Sequence, residues 1–447
     1  MPEKRFNKVL AANRGEIAVR IFRACYDLGI NTVAMYSKED TYSLFRIKAD
    51  EAYLVGENKS PLGVYLDIPE IISLAKRRNV DAIHPGYGFL SENADFARAC
   101  EENGITFIGP PSDVLAKMGD KLSAKQIAIE CGVPVVPGCD APLKSGEEAL
   151  EMAKSFGFPV ILKAAAGGGG RGMRLCTKEE DVIPSFELVR SEAQKAFGND
   201  DIFIEKYLVE PKHIEVQILA DKYGNVRHLG ERDCSLQRRY QKVVEFAPAW
   251  SVPAEVRCRL HTDAVKIAEK VGYVNAGTVE FLVDRDGNHY FIEMNPRIQV
   301  EHTVTEMITN VDLVRAQILI AQGCPVSHPE IGLANQNDLQ IHGYAIQCRV
   351  TTEDPANKFA PDNGRIIGYR SGGGFGVRLD GGNVATGSTI SPYYDSLLVK
   401  VTSWDCTFPA VCRKATRAIN EEHVRGVKTN IPFVTNILTH PTFIEGK

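Results

Sequence analysis

A glycine run behind a strand-like segment constrains the fold of this chain more than any other feature. Phe158 to Lys163 reads Phe-Pro-Val-Ile-Leu-Lys, and five glycines fall within the six positions 167–172. Glycine has no Cβ, so its backbone can fold tightly and turn N–H groups onto a polyanion. The lysine at the end of the apolar segment adds a positive charge. The pattern therefore predicts a phosphate-binding hairpin in preference to a flexible surface hairpin.

The two most familiar phosphate-binding loops do not match this segment. A Walker A loop needs Gly-Lys-Ser or Gly-Lys-Thr at the start of a helix, whereas Gly170-Arg171-Gly172-Met173 leads into a second strand-like run. A dinucleotide-binding turn needs Gly-x-Gly-x-x-Gly after the first strand, but residues 9–16 contain a single glycine. A glycine hairpin with its lysine on the preceding strand resembles the lid of ATP-grasp enzymes.

Length and composition are those of a globular protein with several domains. A chain of 447 residues predicts roughly two to four domains. The net charge of −5 gives no electrostatic footprint for nucleic acid, and no apolar run is long enough for a membrane span. The N-terminus runs directly into a strand, so we expect no signal or transit peptide. Eleven cysteines without a Cys-x-x-Cys pair predict reduced thiols rather than structural zinc. We therefore expect a cytoplasmic protein with neither nucleic acid nor a membrane as partner.

The first third of the chain alternates between two hydrophobic periodicities. Strands are predicted over 9–12, 32–36 and 82–84, and helices over 17–28, 68–76 and 92–101. This alternation predicts a parallel, doubly wound sheet, whose ligands bind at the carboxyl ends of the strands. The loop 84–91 lies at such an end. One lysine-bearing helix is predicted over 117–130.

The remainder is richer in strands. Hairpins are predicted from 214–220 with 226–230 and from 277–283 with 290–294, and a helix over 409–420 closes a strand-rich last hundred residues. We predict four parts: an N-terminal domain at 1–117, a linker and lid at 118–203, a metal- and substrate-binding half at 204–322, and a C-terminal domain at 323–447.

The second hairpin predicts a pair of facing carboxylates. Counting outward from a two-residue turn at Asp286-Gly287, Glu280 directly faces Glu293. Like charges in this position destabilise a sheet, so the pair suggests a cation between them, the alternative being two solvent-facing glutamates. Asn295 lies two residues further on, on the same face. Two carboxylates and an amide oxygen suit Mg²⁺ bridging nucleotide phosphates.

Three other polar features bear on chemistry. Just beyond the hairpin, the Arg297 guanidinium can bind a small oxyanion, and the Glu301 carboxylate can act as a base. Residues 231–242 are predicted to be too polar for the core, the alternative to a site being a solvated charged loop. Within them, Cys234 is predicted to be a packed residue and not a nucleophile. His213 alternates with apolar neighbours, so we expect it on a polar face in a non-catalytic role.

Taken together, these motifs resemble biotin carboxylases over essentially the whole chain. The matching segments are 12–18 (Ala-Asn-Arg-Gly-Glu-Ile-Ala), 84–93 (His-Pro-Gly-Tyr-Gly-Phe-Leu-Ser-Glu-Asn), 118–121 (Met-Gly-Asp-Lys), the glycine run, 231–235 (Glu-Arg-Asp-Cys-Ser) and 293–302 (Glu-Met-Asn-Pro-Arg-Ile-Gln-Val-Glu-His). Segments 378–382 and 425–433 resemble most the biotin carboxylase region of pyruvate carboxylases. The resemblance implies the α/β and α+β ATP-grasp fold, with an N-terminal doubly wound parallel-sheet domain, a small glycine-loop lid and a C-terminal antiparallel-sheet domain.

The resemblance also implies roles for individual residues. For ATP, the phosphates are assigned to Lys121, Lys163, Gly169 and Gly170, the adenine to Glu205, Lys206 and Leu208, and further nucleotide contacts to His213 and Gln237. For Mg²⁺ or Mn²⁺, the ligands are Glu280, Glu293 and Asn295. For bicarbonate, the contacts are Lys242, Arg297, Gln299, Val300 and Glu301. For biotin, the contacts are Tyr87, Gly88 and Arg349. The catalytic set is Lys242, Arg297, Glu301 and Arg349. Tyr240 departs from the family, which often has His or Asn there.

The implied reaction is the ATP- and bicarbonate-dependent carboxylation of biotin at N1′ through carboxyphosphate. No Ala-Met-Lys-Met biotin-acceptor motif is present, so we expect the carrier domain and the carboxyltransferase elsewhere, and a homodimer. The first half-reaction of pyruvate carboxylase is expected, the alternative being a subunit of an acyl-CoA carboxylase. Two other classes of protein remain as alternatives. Arg297, Glu301 and Arg349 argue against a different ATP-grasp ligase, and the costly facing carboxylates argue against a non-catalytic nucleotide-binding module.

Overall fold

The computed structural model describes residues 3–139, 141–164, 172–197, 199–382 and 384–446. Within these residues the strands form a five-stranded, a three-stranded and an eight-stranded sheet, together with three two-stranded pairs. The predicted phosphate-binding residues Gly169 and Gly170 lie outside the described residues. Among the described helices, none combines the length and the apolar character that a membrane crossing requires.

The N-terminal part of the chain alternates strands and helices, as its periodicity predicts. The strands are β1 (Lys8–Ala11), β2 (Asn31–Tyr36), β3 (Glu51–Leu54), β4 (Ala82–His84) and β5 (Thr106–Phe107), and the helices are α1 (Gly15–Asp27), α2 (Pro61–Val64), α3 (Ile68–Arg77), α4 (Ala94–Glu102), α5 (Ser112–Gly119) and α6 (Lys121–Glu130). The strands lie in the order β3-β2-β1-β4-β5, and every neighbouring pair is parallel. The predicted parallel sheet is confirmed.

Both faces of this sheet are buried, which explains why its strands are continuously apolar. Val9 and Ala11 of β1 pack into a core shared with α1, whereas Leu10 packs into the opposite core with α3 and α4. Successive strand residues point to opposite faces, so each strand supplies both cores. Helices on both sides therefore fix the carboxyl edge of the sheet, from which the loop 84–91 emerges.

The single helix predicted over 117–130 is wrong. Two helices, α5 and α6, meet at Asp120, whose backbone is extended (φ −88°, ψ 114°). The Asp120 carboxylate accepts a hydrogen bond from the Leu122 N–H at 3.1 Å and so caps α6. Lys121 therefore begins a helix, at the end whose dipole favours a bound anion.

A small sheet carries the lysine that precedes the glycine run. Its elements are α7 (Gly146–Phe156), β6 (Val160–Ala164), β7 (Met173–Cys176), α8 (Glu179–Phe197) and β8 (Ile202–Lys206). The strands are antiparallel in the order β7-β6-β8. Because β6 and β7 pair directly, the two sides of the glycine run are the strands of a hairpin, and Lys163 lies on the first of them, opposite Met173.

The large sheet combines the middle and the end of the chain. The middle contributes β9 (Lys212–Ala220), β10 (Val226–Arg238), β11 (Gln241–Ala247), α9 (Ala254–Lys270), β12 (Asn275–Val283), β13 (His289–Asn295), α10 (His302–Thr309) and α11 (Leu313–Ala321). The end contributes β14 (Tyr344–Thr351), β15 (Glu353–Asp354), β16 (Ala360–Pro361), β17 (Gly364–Arg365), β18 (Gly368–Arg370), β19 (Val377–Gly381), β20 (Thr389–Ile390), β21 (Leu397–Asp405), α12 (Phe408–Glu421), β22 (His423–Arg425), α13 (Ile431–Thr439) and α14 (Pro441–Ile444). The order β13-β12-β9-β10-β11-β14-β21-β19 is antiparallel throughout, which confirms the predicted antiparallel domain.

The expectation that residues 231–242 are too polar for the core is wrong. Most of this segment belongs to β10 and β11, and Arg232, Asp233 and Cys234 are at most 1% exposed. Polar groups can be buried in this way only when they have hydrogen-bond partners. Arg232 has five such bonds to neighbouring strands and to the segment after β13.

The predicted facing of Glu280 and Glu293 is correct, although the predicted turn is wrong. Val283 pairs with His289, so a loop of five residues, 284–288, replaces the two-residue turn. Immediately after Glu280 the register shifts by one residue, and Ile292 is the extra residue of a β-bulge in β13. The error in the turn and the bulge cancel, which restores the predicted pair.

Candidate active site

One cavity of about 1830 Å³ is lined by residues of the small sheet and of the large sheet, and by the segments that follow β1 and β4 of the N-terminal sheet. Its walls contain every described residue to which the sequence gave a site role. These residues are Tyr87, Gly88, Lys121, Lys163, Glu205, Lys206, Leu208, His213, Gln237, Lys242, Glu280, Glu293, Asn295, Arg297, Gln299, Val300, Glu301 and Arg349. Tyr240 also lies on its wall, with an exposed side chain. The fold thus brings distant segments of the chain around a single space.

Three carboxylates lie in a row across three neighbouring strands. Glu280 on β12 has Glu293 of β13 on one side and Glu215 of β9 on the other as direct cross-strand partners. Glu215 and Glu280 are buried. Such a row of like charges is destabilising by itself, so the neighbouring cations decide which of these groups remain ionised.

The Lys242 ammonium on β11 balances most of this negative charge. Its Nζ donates to Glu215 at 2.6 Å, to Glu280 at 3.0 Å and to Glu301 at 2.7 Å. Burial alone lowers the pKa of a lysine, but the charges of Glu215 and Glu301 outweigh it and hold the pKa of Lys242 well above its usual value. Lys242 is therefore a fixed positive charge at the centre of the site.

Glu280 accepts hydrogen bonds from several directions. Asn295 Nδ2 donates to its Oε1 at 2.9 Å and Gln299 Nε2 at 2.8 Å, while His213 Nε2 lies 2.5 Å from its Oε2. Burial raises the pKa of a carboxyl, but Lys242 and His213 outweigh burial and hold the pKa of Glu280 below its usual value. Glu280 is therefore ionised and available to a metal ion.

Glu293 is compensated only through space, by the charges of Lys121 and Lys242. Its carboxylate has no hydrogen bond or ion pair to any described residue, and both burial and the charge of Glu280 raise its pKa. A half-buried carboxylate beside another one is the kind of group that a divalent cation stabilises. Asn295 currently turns its Nδ2 to Glu280 and accepts from Arg297 Nη2 through Oδ1. A rotation of this amide is therefore needed before its oxygen can share a cation with Glu280.

Further combinations of possible metal ligands lie around Lys242. Among the described residues, His213, Glu215 and Glu280 form one close group, and Glu215, Cys234 and Glu301 form another. Glu215 belongs to both groups, and Lys242 contacts the carboxylates of Glu215, Glu280 and Glu301. Cys234 is fully buried and its burial raises the pKa of the thiol well above its usual value, which fits the predicted packed residue.

Glu301 connects two cations. Its Oε1 accepts from Lys242 at 2.7 Å, and its Oε2 accepts from Arg349 Nη2 at 2.9 Å. Burial raises the pKa of Glu301, but Lys242 and Arg349 outweigh it and hold the pKa well below its usual value. The carboxylate is ionised, and it lies where it can take a proton from an anion bound beside both cations.

A second carboxylate orients Arg349. Arg349 Nε donates to Glu245 Oε1 at 2.5 Å, and the other oxygen of Glu245 accepts from Gln347 Nε2 at 3.0 Å. Glu245 is fully buried, and burial raises its pKa against the opposing charge of Arg349. The guanidinium is thus fixed in plane by two carboxylates.

Arg297 joins the segment after β13 to the N-terminal domain. Its Nε donates to Glu92 at 2.7 Å, and its Nη2 donates to Asn295 Oδ1 at 2.9 Å. The side chain lies on the cavity wall and is partly exposed. The Arg297 guanidinium is therefore paired with the Glu92 carboxylate. To bind an anion, it must either contact both groups at once or release Glu92.

The predicted nucleotide contacts occupy the other end of the cavity. Lys163 forms an ion pair with Glu205, and Lys206 Nζ donates to the carbonyl oxygens of Gly157 and Phe158 at 2.8 and 3.3 Å. Gln237 Nε2 lies 3.1 Å from His213 Nδ1. His213 therefore connects this end of the cavity to Glu280, and its pKa is raised because Glu280 outweighs burial.

The predicted biotin rim is built by the loop after β4. Tyr87 donates its hydroxyl to Glu16 Oε2 at 2.5 Å, and Asn13 Nδ2 donates to the carbonyl oxygens of Pro85 and Tyr87. Gly86 has φ +66°, and a Cβ there would lie 2.9 Å from Ile17. Only glycine fits this bend without displacing α1.

Sequence reasoning missed several residues that organise the site: Glu16, Glu215, Arg232, Glu245 and Lys400. Each is buried and contacts a predicted site residue directly. The one available signal is a charged residue inside a strand-like run. A charged residue in a strand does not indicate which neighbouring strand supplies its hydrogen-bond or ion-pair partner.

A lysine strand before a glycine run, opposite a large sheet with paired carboxylates, defines an ATP-grasp ligase. Residues 5–115 match the family "Biotin carboxylase, N-terminal domain", residues 120–328 match "Carbamoyl-phosphate synthase L chain, ATP binding domain", and residues 347–447 match "Biotin carboxylase C-terminal domain". The chain belongs to the biotin carboxylase family.

Curated relatives of the chain include pyruvate carboxylases. The chain is 58% identical over 443 residues to the mitochondrial pyruvate carboxylase of Homo sapiens and 56% identical over 447 residues to the pyruvate carboxylase of Bacillus subtilis. These alignments cover 99% and 100% of this chain but 37% and 39% of the relatives. The chain thus spans well under half the length of the curated relatives it matches.

Solved structures agree with the fold. The biotin carboxylase domain dimer of the Hydrogenobacter thermophilus 2-oxoglutarate carboxylase, in complex with MgADP, ADP and bicarbonate, has a TM-score of 0.91 and 50% identity, covering 99% of this chain and 96% of that one. The Campylobacter jejuni biotin carboxylase in a β,γ-ATP complex has a TM-score of 0.92 and 42% identity, covering 99% and 97%.

Proposed function

We propose that this protein carboxylates biotin at N1′, with ATP and bicarbonate as co-substrates and carboxyphosphate as the intermediate. The contact of Glu301 with both Lys242 and Arg349 carries the proposal. Lys242 also contacts Glu280 on the metal side, and Arg349 lines the same cavity as Tyr87 on the biotin side. The Glu301 carboxylate therefore lies between the residues proposed for ATP cleavage and those proposed for biotin carboxylation. The solved relative that binds MgADP and bicarbonate supports the choice of substrates.

The nucleotide and its metal ions have a consistent set of residues. We assign the ATP phosphates to Lys121, Lys163, Gly169 and Gly170, the adenine to Glu205, Lys206 and Leu208, and additional nucleotide contacts to His213 and Gln237. We assign Mg²⁺ or Mn²⁺ to Glu280, Glu293 and Asn295. The carboxylate of Glu293 supports this assignment, because burial and the charge of Glu280 raise its pKa and a cation relieves that repulsion. When bound, the metal neutralises charge on the transferring phosphoryl group.

Glu301 is the base in the first step. Arg297, Gln299 and the Val300 backbone hold bicarbonate beside it, and Glu301 removes the bicarbonate proton. The resulting oxygen attacks the γ-phosphorus of ATP, which releases ADP and forms carboxyphosphate. Lys242 stabilises the negative charge that develops on the phosphoryl oxygens. The fixed charge of Lys242, held by three carboxylates, supports this role.

Arg349 serves the second step. Carboxyphosphate breaks into CO₂ and phosphate, and the phosphate takes the proton from the ureido N1′ of biotin. The Arg349 guanidinium, held in plane by Glu245, stabilises the enolate-like oxygen, and N1′ attacks CO₂. Tyr87 and Gly88 line the rim where biotin enters. Excluding water protects the mixed anhydride from hydrolysis.

The experiment that tests the proposal measures ADP release and fixed carbon together. The purified chain is given ATP and Mg²⁺, with and without bicarbonate and free biotin. We expect ADP release to require bicarbonate and to increase with biotin, and labelled bicarbonate to appear in carboxybiotin. Bicarbonate-independent ATP cleavage that increases with an amine would contradict the proposal. Glu102→Gln, an exposed glutamate away from the cavity, is the control variant.

The carboxyl acceptor and the partners belong to the same proposal. We assign the chain to the first half-reaction of pyruvate carboxylase because the curated relatives carry that name. A biotin carrier domain and a carboxyltransferase in another part of the protein or another chain complete the reaction, and the chain forms a homodimer as the solved domain dimer does. Biotinylated carrier domains from a pyruvate carboxylase and from an acyl-CoA carboxylase should differ in kcat/KM with this chain. Preference for the acyl-CoA carboxylase carrier would contradict the assignment.

We also propose the four-part division at 1–117, 118–203, 204–322 and 323–447, and a cytoplasmic location. Eleven free cysteines support a reducing compartment. Relatives named as mitochondrial make the matrix the competing location, and a tagged full-length protein imaged in its own cells distinguishes the two.

A further inference from the structure

A second pair of like charges lies beside the proposed biotin site. Lys400 of β21 is the direct cross-strand partner of Arg349 of β14, and its side chain is 0% exposed. Two facing cations destabilise a sheet, and a buried ammonium adds a desolvation cost. The proposed reaction uses Arg349 but gives Lys400 no role. The contacts of the ammonium indicate what it contributes.

Lys400 contacts both substrate regions of the cavity. Its Nζ donates to the carbonyl oxygen of Val300 at 3.0 Å and forms an ion pair with Glu16 Oε1, also at 3.0 Å. The Val300 carbonyl belongs to the peptide that leads into Glu301. The other oxygen of Glu16 accepts the hydroxyl of Tyr87 at 2.5 Å. One ammonium is thus connected to the proposed base and, through a single carboxylate, to the biotin rim.

The backbone is closely packed beside the ion pair between Lys400 and Glu16. A Cβ on Gly382, in the segment after β19, would lie 2.0 Å from the Glu16 backbone nitrogen and 2.2 Å from the Gly15 carbonyl carbon. The C-terminal part of the chain therefore touches the start of α1 backbone to backbone. Glu16 is 8% exposed, and its Oε1 has no aligned hydrogen bond besides the ion pair with Lys400. Lys400 therefore supplies the charge that holds this carboxylate oxygen of Glu16.

We propose that Lys400 is a positioning residue for both half-reactions. It fixes the peptide before Glu301 and, through Glu16, the Tyr87 hydroxyl, so that the bicarbonate segment and the biotin rim keep one relative position. The inference rests on the proposed biotin carboxylation. It goes beyond the balancing of the charge on the cross-strand neighbour Asp380, because both oxygens of Asp380 bond Arg378, whereas the Lys400 ammonium contacts Val300 and Glu16.

The test measures the KM values for ATP, bicarbonate and biotin one by one. Lys400→Met removes the ammonium but leaves the Glu16 carboxylate buried without its cation, which can unfold the chain. The double variant Glu16→Gln with Lys400→Met removes both charges and keeps their volume. Lys48→Met, an exposed lysine far from the cavity wall, is the control. Each variant is assayed for ATP cleavage and for carboxylation of free biotin.

We expect the double variant to fold with a near-normal melting temperature and to lose about 10- to 100-fold in biotin carboxylation. The KM values for bicarbonate and for biotin should rise several-fold, while the KM for ATP stays within about twofold. The number of ATP molecules cleaved for each biotin carboxylated should increase, because the two steps lose their alignment.

Two results would overturn the inference. In the first, the double variant keeps the wild-type KM values for bicarbonate and for biotin and the wild-type ratio of ATP cleaved to biotin carboxylated. Lys400 would then be a purely structural residue. In the second, all three KM values rise together, which makes its loss a general distortion. Absence of bicarbonate-dependent ATP cleavage in the wild-type chain is a different failure, since it removes the proposed function itself.

Discussion

Glu293 faces Glu280 across the edge of the large sheet, yet only Glu280 has ion pairs among the described residues. The difference arises from the order of the strands. β12 lies between β13 and β9, so the side chain of Glu280 is within reach of Lys242 and His213, whereas β13 is an edge strand. Without a metal ion, the sheet therefore has one carboxylate with ion pairs, Glu280, beside one without them, Glu293.

We predict that Glu293→Gln separates stability from activity. Without metal, the free energy of unfolding should stay unchanged or rise by up to about 1 kcal/mol, because the variant removes a cross-strand repulsion. Mg²⁺-dependent ATP cleavage should fall by about two orders of magnitude, because a metal ligand is lost. Urea unfolding in a chelator and an ATPase titration with Mg²⁺ measure the two effects. A large loss of stability with unchanged Mg²⁺ dependence would show that Glu293 is structural.

Glu301 and Arg349 should affect different half-reactions. Glu301→Gln should lose bicarbonate-dependent ATP cleavage and biotin carboxylation together, by about 10²–10⁴-fold for a general base. Arg349→Ala and Arg349→Lys should lose biotin carboxylation while retaining much of the basal ATP cleavage. Lysine keeps the charge but not the planar fork that Glu245 and Glu301 bind, so it should rescue little.

Parallel assays of ADP release and of carboxybiotin check this separation. Equal loss of both activities in the Arg349 variants would mean that Arg349 serves the ATP step or the fold. Retention of both activities would remove Arg349 from the site.

His84 should make the stability of the N-terminal domain depend on pH. The Gly86 N–H donates to His84 Nδ1 at 3.0 Å, so the neutral ring carries its proton on Nε2, facing Gln317 Oε1 at 3.2 Å. Burial lowers the pKa of His84 from 6.5 to about 3. The unfolded chain therefore binds a proton at a pH where the folded chain does not. The contribution is fully present above pH 6.5 and is lost as the pH falls from there toward 3.

The measurement compares urea unfolding of the wild type and of His84→Asn, whose amide does not titrate. Relative to the variant, the wild type should lose about 2 kcal/mol between pH 7 and pH 5. Parallel pH profiles of the two proteins would mean that His84 titrates alike in the folded and the unfolded chain, and so would contradict the prediction.

Arg232 should be more important for stability than any exposed charge. Its guanidinium is fully buried and donates to Glu215, Gln217, Thr278, Gln299 and Thr305. Replacement by Met leaves the Glu215 carboxylate with Lys242 alone, so we expect about 3–5 kcal/mol of lost stability. Thermal unfolding of Arg232→Met beside Arg285→Met, an exposed arginine on the loop after β12, measures the difference. Equal melting temperatures would contradict the expectation.

Local pattern alone was enough for a large part of the architecture. Alternating periodicities gave the parallel sheet, because β1, β2 and β4 each carry residues for two cores. A strand lysine before a glycine run indicated a phosphate site, because few other uses justify so much backbone entropy. The hairpin count located the two strands from neighbours in sequence, but it found the facing pair Glu280 and Glu293 only because the error in the turn cancelled the bulge at Ile292.

Tertiary structure decided what the rest of the site contains. β12 pairs with β9 without a break from Asn275 to Val283, so the bulge at Ile292 falls in β13, the last strand of the large sheet, whose Phe291 forms a bridge to Val135 on the other side. The same pairing places Glu215 beside Glu280. Glu245, Lys400 and Arg232 become site residues only because β10, β11, β14 and β21 are neighbours in space. A sequence states which strands carry charge, but the contacts that balance those charges exist only after distant strands have packed together.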